Sequence, residues 1–426
     1  MTGTSGSTER NSEMASRTTT RTSGIVSGPK RAVLASLALL AASAALVGST
    51  VRGETEAAVS EKIVFASNRT TGKGVVNPTG DREIFRMNPN GTGARQLTYN
   101  TGHDGEPTLS PDGTKIAYMS RGDQASNPEG DWEIYVMSAL DGSGNRNLTD
   151  NGANVDDLVP IFSPDGQKIA YQSRGAQDSN AEGDDEVYVM NALDGTEKKN
   201  LSNNYLNIND YDADFSPDGA KVAYTSYGVQ TSNPEGDSEV YVMNAANGSG
   251  QTNLSNDGSY ASDVYPRFSP DGQKIAFTSR GQQTSNPDGD SEVYIMSALD
   301  GSSKKNLSDN GVQEDAPDFS PDGTKIVYQT SGAQTSNPEG ETEVYVMSAL
   351  EGTGKKNLSN NGGGIGDVGP LFSPDGQQIA YLSRGVQSSN PQGDYEIYRM
   401  NASDGSSKKN LTNNDAEYDE SPEWGR

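Results

Sequence analysis

The 426-residue chain has 49 Gly, 20 Pro, 31% hydrophobic residues and a formal net charge of −26, with no cysteine and a single histidine, His103. Lacking cysteine, it has no disulfide, thiolate metal site, cysteine nucleophile or lipid-modified N-terminal Cys, and one histidine nearly removes zinc and Ser-His chemistry. Residues 1–53 carry six Lys/Arg against Glu9 and Glu13, leaving 27 basic and 57 acidic residues in 54–426; a surface so negative repels phosphate backbones and anionic headgroups, suits cations or basic proteins, and in any case keeps the chain solvated.

In chain order, the first element reads as an address. Pro29-Lys30-Arg31 precedes the apolar run from Ala32 to Ser49, which ends Val47-Gly48-Ser49. Basic residues, an apolar core and then small residues are the order of an export signal. At about 18 residues the run also reaches the lower limit for a membrane span, so an uncleaved anchor is the alternative. Either way the rest of the chain is expected outside the cytoplasm, secreted, periplasmic or in the cell envelope.

The tetrapeptide SPDG then begins at Ser110, Ser163, Ser216, Ser269, Ser320 and Ser373, in steps of 53, 53, 53, 51 and 53 residues. This is a repeat protein. Each unit offers four extended runs, P-x-F-S, K-I-A-Y-x-S, E-V-Y-V-M-N and K-N-L-S, bounded by Gly, Pro, Asn or Asp. Pro at the second position and Gly at the fourth make SPDG a type I hairpin tip. The middle runs are apolar at adjacent positions, as in Ile169-Ala170-Tyr171 and Val187 to Met190, so both sheet faces must be covered. Four-stranded antiparallel units stacked around an axis satisfy that requirement.

The ends set the number of blades. The first unit, around Ile63, lacks its P-x-F-S strand, and the chain closes with Asp419-Glu420-Ser421-Pro422-Glu423-Trp424. The expected fold is all-β, a seven-bladed β-propeller over 54–426, in which the C-terminal strand joins the N-terminal three and leaves no open edge.

These residues carry a resemblance. P-x-F-S-P-D-G-x-K-I-A-Y followed by E-V-Y-V-M-N and N-L-S/T resembles the TolB-type β-propeller repeat over about residues 60–426. The resemblance implies an extracytoplasmic propeller that binds a partner. It does not extend to an α/β domain ahead of the propeller, for which residues 1–53 leave no room, and the loop before E-V-Y is longer than in that family.

Alternating strands place the long loops and the inter-blade links on one rim, where three acidic series gather. Nearest the axis are Asp104, Asp157, Asp210, Asp263, Glu314, Asp367 and Asp419. The long loop supplies Asp81, Asp131, Asp184, Asp237, Asp290, Glu341 and Asp394, and two residues on come Glu83, Glu133, Glu186, Glu239, Glu292, Glu343 and Glu396. Counting back from the hairpin tip brings Asp157 within one position of facing Arg174, with Arg69, Arg121, Arg280 and Arg384 in the equivalent places, so a cross-strand carboxylate–guanidinium pair is expected. Asp210 and Glu314, whose units carry Tyr227 and Ser331 instead, then lead the inner acids as partner-binding residues.

For the loop acids and the glutamates that follow them, oxygen ligands between Pro and Gly suggest Ca2+. The spacing is not that of an EF-hand; turn capping by Asn and Asp also accounts for the pattern, and recent duplication of the unit accounts for it most economically. N-L-S and N-L-T match the glycosylation acceptor pattern at Asn147, Asn200, Asn253, Asn306, Asn357 and Asn410 but fall in a strand. Three functions are compatible with all this: a non-enzymatic propeller whose acidic face docks a protein or other cationic partner, a glycan- or peptide-acting enzyme built on paired carboxylates, and a Ca2+-stabilised cell-surface protein. No G-x-S-x-G elbow is present for a serine hydrolase.

Overall fold

The computed structural model describes residues 62–425 except 123–124, 178, 205–207, 257–260 and 415–417. The chain divides into two units, Met1–Gly53 and Glu54–Arg426. The run read as an export signal, within the first of these, lies outside the described residues. Among the described residues no helix is long and apolar enough to cross a membrane.

Seven four-stranded antiparallel sheets form the propeller. Blade 3 serves as the type, with an inner strand Asp156–Phe162, a second strand Lys168–Arg174, a third Asp185–Asn191 and a short outer strand Lys199–Asn200. Blade 1 is composite, because Ile63–Ser67, Glu83–Met87 and Arg95–Gln96 receive the C-terminal Asp419–Trp424 as their inner strand. Ile63 stands opposite Trp424 and Ser67 opposite Asp419. Closure by the last strand is as the unequal ends of the sequence require.

The hairpin tips explain the SPDG repeat. In blade 3 the Gly166 N–H donates to the Ser163 carbonyl at 2.8 Å, Asp165 Oδ1 accepts from the Gln167 N–H at 3.0 Å, and Gly166 takes a φ of 68°. A residue with a Cβ resists that left-handed conformation.

The core lies between blades. Along a strand, alternate side chains face opposite sides, so Ile169 and Tyr171 face one neighbour and Ala170 the other. Ile169, Tyr171, Tyr188 and Met190 of blade 3 pack on Ala117, Ile134 and Val136 of blade 2, while Ala170, Val187 and Val189 receive Val222, Tyr224, Tyr241 and Met243 of blade 4. A bulky face meets a small one, which is why neither face of the strand reads as polar. Tyr171 and Tyr188, opposite each other in register, add a tilted aromatic pair with centroids 5.6 Å apart, worth about 1 kcal/mol beyond its buried area.

The A-L-D-G turn fixes the spacing of blades. A Cβ on Gly195 would come within 2.2 Å of the Leu148 carbonyl oxygen in the preceding blade. The same approach recurs between Gly301 and Leu254 at 2.0 Å. Only glycine allows the two backbones to meet.

Candidate functional site

The inner acids are buried, and their register differs from expectation by one residue. Asp157 stands opposite Ser173, and Arg174 stands opposite Asp156, with Nη2 4.0 Å from Asp156 Oδ2. Arg121 and Arg384 lie instead over the rings of Trp132 and Tyr395. Arg69 alone among these arginines reaches the inner acid of its blade, donating to Asp419 at 2.7 Å. The missing arginine therefore does not distinguish Asp210 and Glu314, and Asp104, Asp157, Asp210, Asp263, Glu314, Asp367 and Asp419 are all at most 1% exposed. An alternating strand turns these side chains into the seam between blades, where no docking partner touches them.

At that seam they meet the glutamates that begin the third strands. The Ser202 hydroxyl donates to Glu186, the Asn204 N–H donates to the same carboxyl at 3.1 Å, and Asn204 Nδ2 donates to Asp210 Oδ2 at 2.5 Å in the next blade. Thr149 and Asn151 join Glu133 to Asp157, Ser308 and Asn310 join Glu292 to Glu314, Ser359 and Asn361 join Glu343 to Asp367, and Thr412 and Asn414 join Glu396 to Asp419. Burial pushes Glu186 up to about 8, with the Asp210 charge adding to it, and burial pushes Asp210 up to about 7. Glu133 and Asp157 are raised for the same main reason, to about 8 and about 7. In these five pairs the repeated acids clasp one blade to the next.

The long loop is tied by its own side chains. Asn180 Nδ2 donates to the Asp184 carbonyl at 2.7 Å while its Oδ1 accepts from the Gly183 N–H at 2.9 Å, and Ser179 meets the Tyr188 hydroxyl at 2.8 Å. The loop acids reach the next link, since Asp184 Oδ2 accepts from the Ile208 N–H at 3.0 Å and Glu341 Oε1 from the Gly364 N–H at 2.9 Å. Asp131 makes the same bond to the Val155 N–H at 3.3 Å. Among the described residues no group of three or more His, Cys, Asp or Glu side chains is placed to hold a metal ion. Asp237, Asp290 and Asp394 occupy the corresponding loop positions in their blades, and Glu239 the strand-entry position of Glu186.

What breaks the sevenfold repeat is the wall of the central opening. Each inner strand slips register between its acid and its P-x-F segment, as between Val264 and Arg267. The residue at the bulge has positive φ in every blade: Glu106, Val159, Asp212, Tyr265, Ala316, Gly369 and Ser421. A bulge of this kind bends the strand and re-aims a side chain; here Val159 and Tyr265 are left 44% and 41% exposed, and the Ser421 hydroxyl donates to Glu106 of the adjoining blade at 2.8 Å.

The wall residues differ from blade to blade more than any other part of the unit, and acids are frequent among them. Glu106, Asp212, Asp214, Asp315, Asp318, Glu420 and Glu423 stand on the inner strands, with Arg267 as the arginine among them. Blades 4 to 6 hold the densest group. Burial pushes Asp212 up to about 6, Arg267 opposing the shift and Asp315 adding to it. Thr278 donates to Asp315 at 3.0 Å, and Asp214 accepts from the Phe268 N–H at 2.7 Å. Within blade 1, Arg82 Nε pairs with Glu420 at 2.5 Å. The sequence carried a signal for this wall: the two positions before the proline position and the one after it vary in an otherwise uniform unit.

The profile of the TolB beta propeller domain matches residues 158–284 and 289–425. The Tol-Pal system protein TolB of Francisella tularensis subsp. mediasiatica is 27% identical over 276 residues, covering 63% of this chain and 55% of that protein. Dipeptidyl-peptidase 5 of Porphyromonas gingivalis is 29% identical over 243 residues, covering 46% of this chain and 33% of the peptidase. The chain thus spans between a third and about half of these two relatives. The β-propeller domain of the Trilobed protease from Pyrococcus furiosus superposes with a TM-score of 0.52 at 15% identity, over 83% of this chain and 92% of that one, a likeness of fold alone. With the propeller closed as described and the profile matched over more than half of its length, the chain belongs to the TolB β-propeller domain family.

Proposed function

We propose that the protein is an exported, non-enzymatic binding module that docks the basic surface or segment of a protein partner at its central opening. The observation that carries this reading is the broken symmetry: the outer strands repeat, whereas the inner strands carry acids at their variable positions in some blades and not in others, with Glu106, Asp212, Asp214, Asp315, Asp318, Glu420 and Glu423 set against Arg267. An opening lined by one sign of charge focuses field lines and raises the local concentration of oppositely charged partners. Rigid propellers also present variable residues on a fixed frame, the usual arrangement for recognition. Export rests on the segment from Pro29 to Ser49. The non-enzymatic reading rests on the lack of cysteine, the single histidine, and the engagement of the paired acids in blade clasps.

Fluorescence anisotropy with labelled oligolysine and oligoglutamate peptides of equal length tests this. The full chain should bind oligolysine, lose it steeply with added salt, and ignore oligoglutamate. Binding of neither peptide, or of both equally, would remove the reading.

A further inference from the structure

The seam between blades 1 and 2 leaves a buried glutamate bare. The backbone sets its two acids side by side: the Asp104 N–H, on the inner strand His103–Leu109 of blade 2, donates to the Arg82 carbonyl of blade 1 at 2.8 Å, and Glu83 is the next residue. Glu83 stands opposite Ser67 and Asp104 opposite Ser120, and all four are 0% exposed. Asp104 accepts the Asn100 amide on both oxygens, at 3.1 and 2.9 Å. In the five clasps described above, the corresponding glutamate accepts a Ser or Thr hydroxyl and an Asn N–H. Glu83 has neither: the nearby Thr98 hydroxyl meets neither carboxyl oxygen in hydrogen-bonding geometry, and no other protein group does.

Other seams carry a protein cation. The first lysine of K-K-N-L-S reaches back to the preceding blade, where Lys198, Lys304 and Lys355 donate to the Thr149, Ser255 and Ser308 carbonyls and Lys408 to Asn361 Oδ1. Lys198 thereby acts on Asp157, and Lys408 on both Glu343 and Asp367. Where blade 7 meets blade 1 the position is Ala94, and Arg69 serves Asp419 in its stead. Where blade 3 meets blade 4 it is Gln251, whose amide donates to the Ser202 carbonyl at 2.6 Å, and both Glu186 oxygens are already held by Ser202 and Asn204. Where blade 1 meets blade 2 it is Asn145, short and turned to the Tyr118 hydroxyl, from which it accepts at 2.8 Å. The Thr98 carbonyl, where a lysine would end, accepts the Gln96 amide at 2.8 Å. The nearby arginines are engaged elsewhere: Arg69 with Asp419 and Ser67, Arg82 with Glu420, and Arg121 over the Trp132 ring. The charged groups that act on Glu83 are Asp104 and Asp81, both acids.

We propose that the seam between Glu83 and Asp104 binds an alkali-metal cation, Na+ or K+, which does there what a lysine ammonium does in the other seams. Buried charges are paired or coordinate metals, and Glu83 turns two unpartnered carboxylate oxygens into a closed seam beside a second carboxylate and the hydroxyl-bearing Ser67, Thr98 and Ser120. Such a donor set is all hard oxygen. The charge it calls for is single, because the equivalent seams are balanced by one ammonium or one guanidinium. Among the described residues no third acid joins the two in a group able to hold a metal ion, so the set lacks the carboxylate-rich shell of about six to eight oxygens that Ca2+ takes. The cation ties the third strand of one blade to the inner strand of the next, and its binding to the folded ring alone stabilises that ring by mass action.

Thermal unfolding of the full chain near neutral pH, in NaCl or KCl against choline chloride at equal molarity, tests the proposal. Choline matches the ionic strength but is too bulky for a closed seam. The wild-type Tm should be higher by several degrees in NaCl, KCl or both than in choline chloride. Asn145→Lys, which restores the lysine of the other seams, should raise the Tm in choline chloride and abolish the difference between salts. Ser143→Lys, the same change in charge at an exposed position nearby, should leave that difference in place. Glu83→Gln should abolish it. The proposal is overturned by equal wild-type Tm in all three salts, by a difference that survives Asn145→Lys or Glu83→Gln or is removed by Ser143→Lys, or by a response to Ca2+ with none to Na+ or K+. If Asn145→Lys does not fold, the wild-type comparison and Glu83→Gln decide.

Discussion

Arg69 donates from Nη2 to Asp419 Oδ1 at 2.7 Å, joining residues 350 positions apart at the seam where the ring closes. The guanidinium is held flat by the rings of Phe65 and Phe85, 5.2 and 4.9 Å from their centroids. Both partners are buried, the side chains 8% and 0% exposed. Removing one partner of a buried pair leaves the other charge uncompensated, so Arg69→Ala should cost about 3 kcal/mol or more. Chemical denaturation checks it. Arg69→Met, which keeps some of the stacking but not the charge, should remain destabilised unless Asp419→Asn is added.

Two glycines near the A-L-D-G turns, Gly301 of the turn itself and Gly250 two residues past the equivalent turn in blade 4, offer a paired comparison. Gly250 and Gly301 share a φ of 70°, yet a Cβ at Gly250 meets nothing within 4 Å while at Gly301 it would meet the Leu254 carbonyl oxygen at 2.0 Å. Gly250→Ala should therefore cost only the left-handed backbone term, about 1–2 kcal/mol. Gly301→Ala must in addition push two blades apart, and its denaturation midpoint should fall well below that of Gly250→Ala.

Binding at the opening should depend on pH through Asp212. Its pKa is raised to about 6 by burial, Asp315 adding and Arg267 opposing. A cationic partner favours the ionised form, so affinity should weaken as pH falls through about 6 and level off above about 7. Isothermal titration of oligolysine at several pH values reads this. Asp212→Asn should flatten the profile as well as weaken binding.

Loop order should depend on the asparagines more than on the acids. Asn233 accepts from the Gly236 N–H at 3.0 Å and donates to the Asp237 carbonyl at 2.7 Å, closing the SNPEGD turn. Asn233→Ala removes both bonds of a buried side chain and should cost about 2 kcal/mol. Hydrogen exchange of the amides between Ser232 and Glu239 should quicken in that variant alone.

The fold was legible because three independent sequence features agree. SPDG spacing sets the unit, adjacent apolar residues such as Ile169, Ala170 and Tyr171 demand two covered faces, and the mismatched ends at Ile63 and Trp424 require a composite blade. The acids were legible as a pattern but not as a direction. A one-residue offset puts Asp157 against Ser173 instead of Arg174, and with period-two side chains that decides between a surface pair and a buried seam. The partners of the glutamates stood in plain view: the Ser or Thr of N-L-S/T, read first as part of a glycosylation pattern, is the hydroxyl that meets Glu186 or Glu133, while Asn200 and Asn147 brace the long loop through the Ser179 and Ser126 carbonyls. Bulges were not legible, because φ at Val159 or Tyr265 follows from strand pairing and not from residue type.

The direct test of the binding account compares two triple variants with the same change in net charge. One neutralises the opening with Glu106→Gln, Asp212→Asn and Asp315→Asn, and the other neutralises exposed loop acids with Glu129→Gln, Glu182→Gln and Glu339→Gln. Measured by fluorescence anisotropy with oligolysine at fixed salt, the first should weaken binding by about a hundredfold, roughly 1 kcal/mol for each charge, and the second should leave it within about twofold. Equal losses in the two variants, or none in the first, would contradict the assignment of the central opening as the docking site.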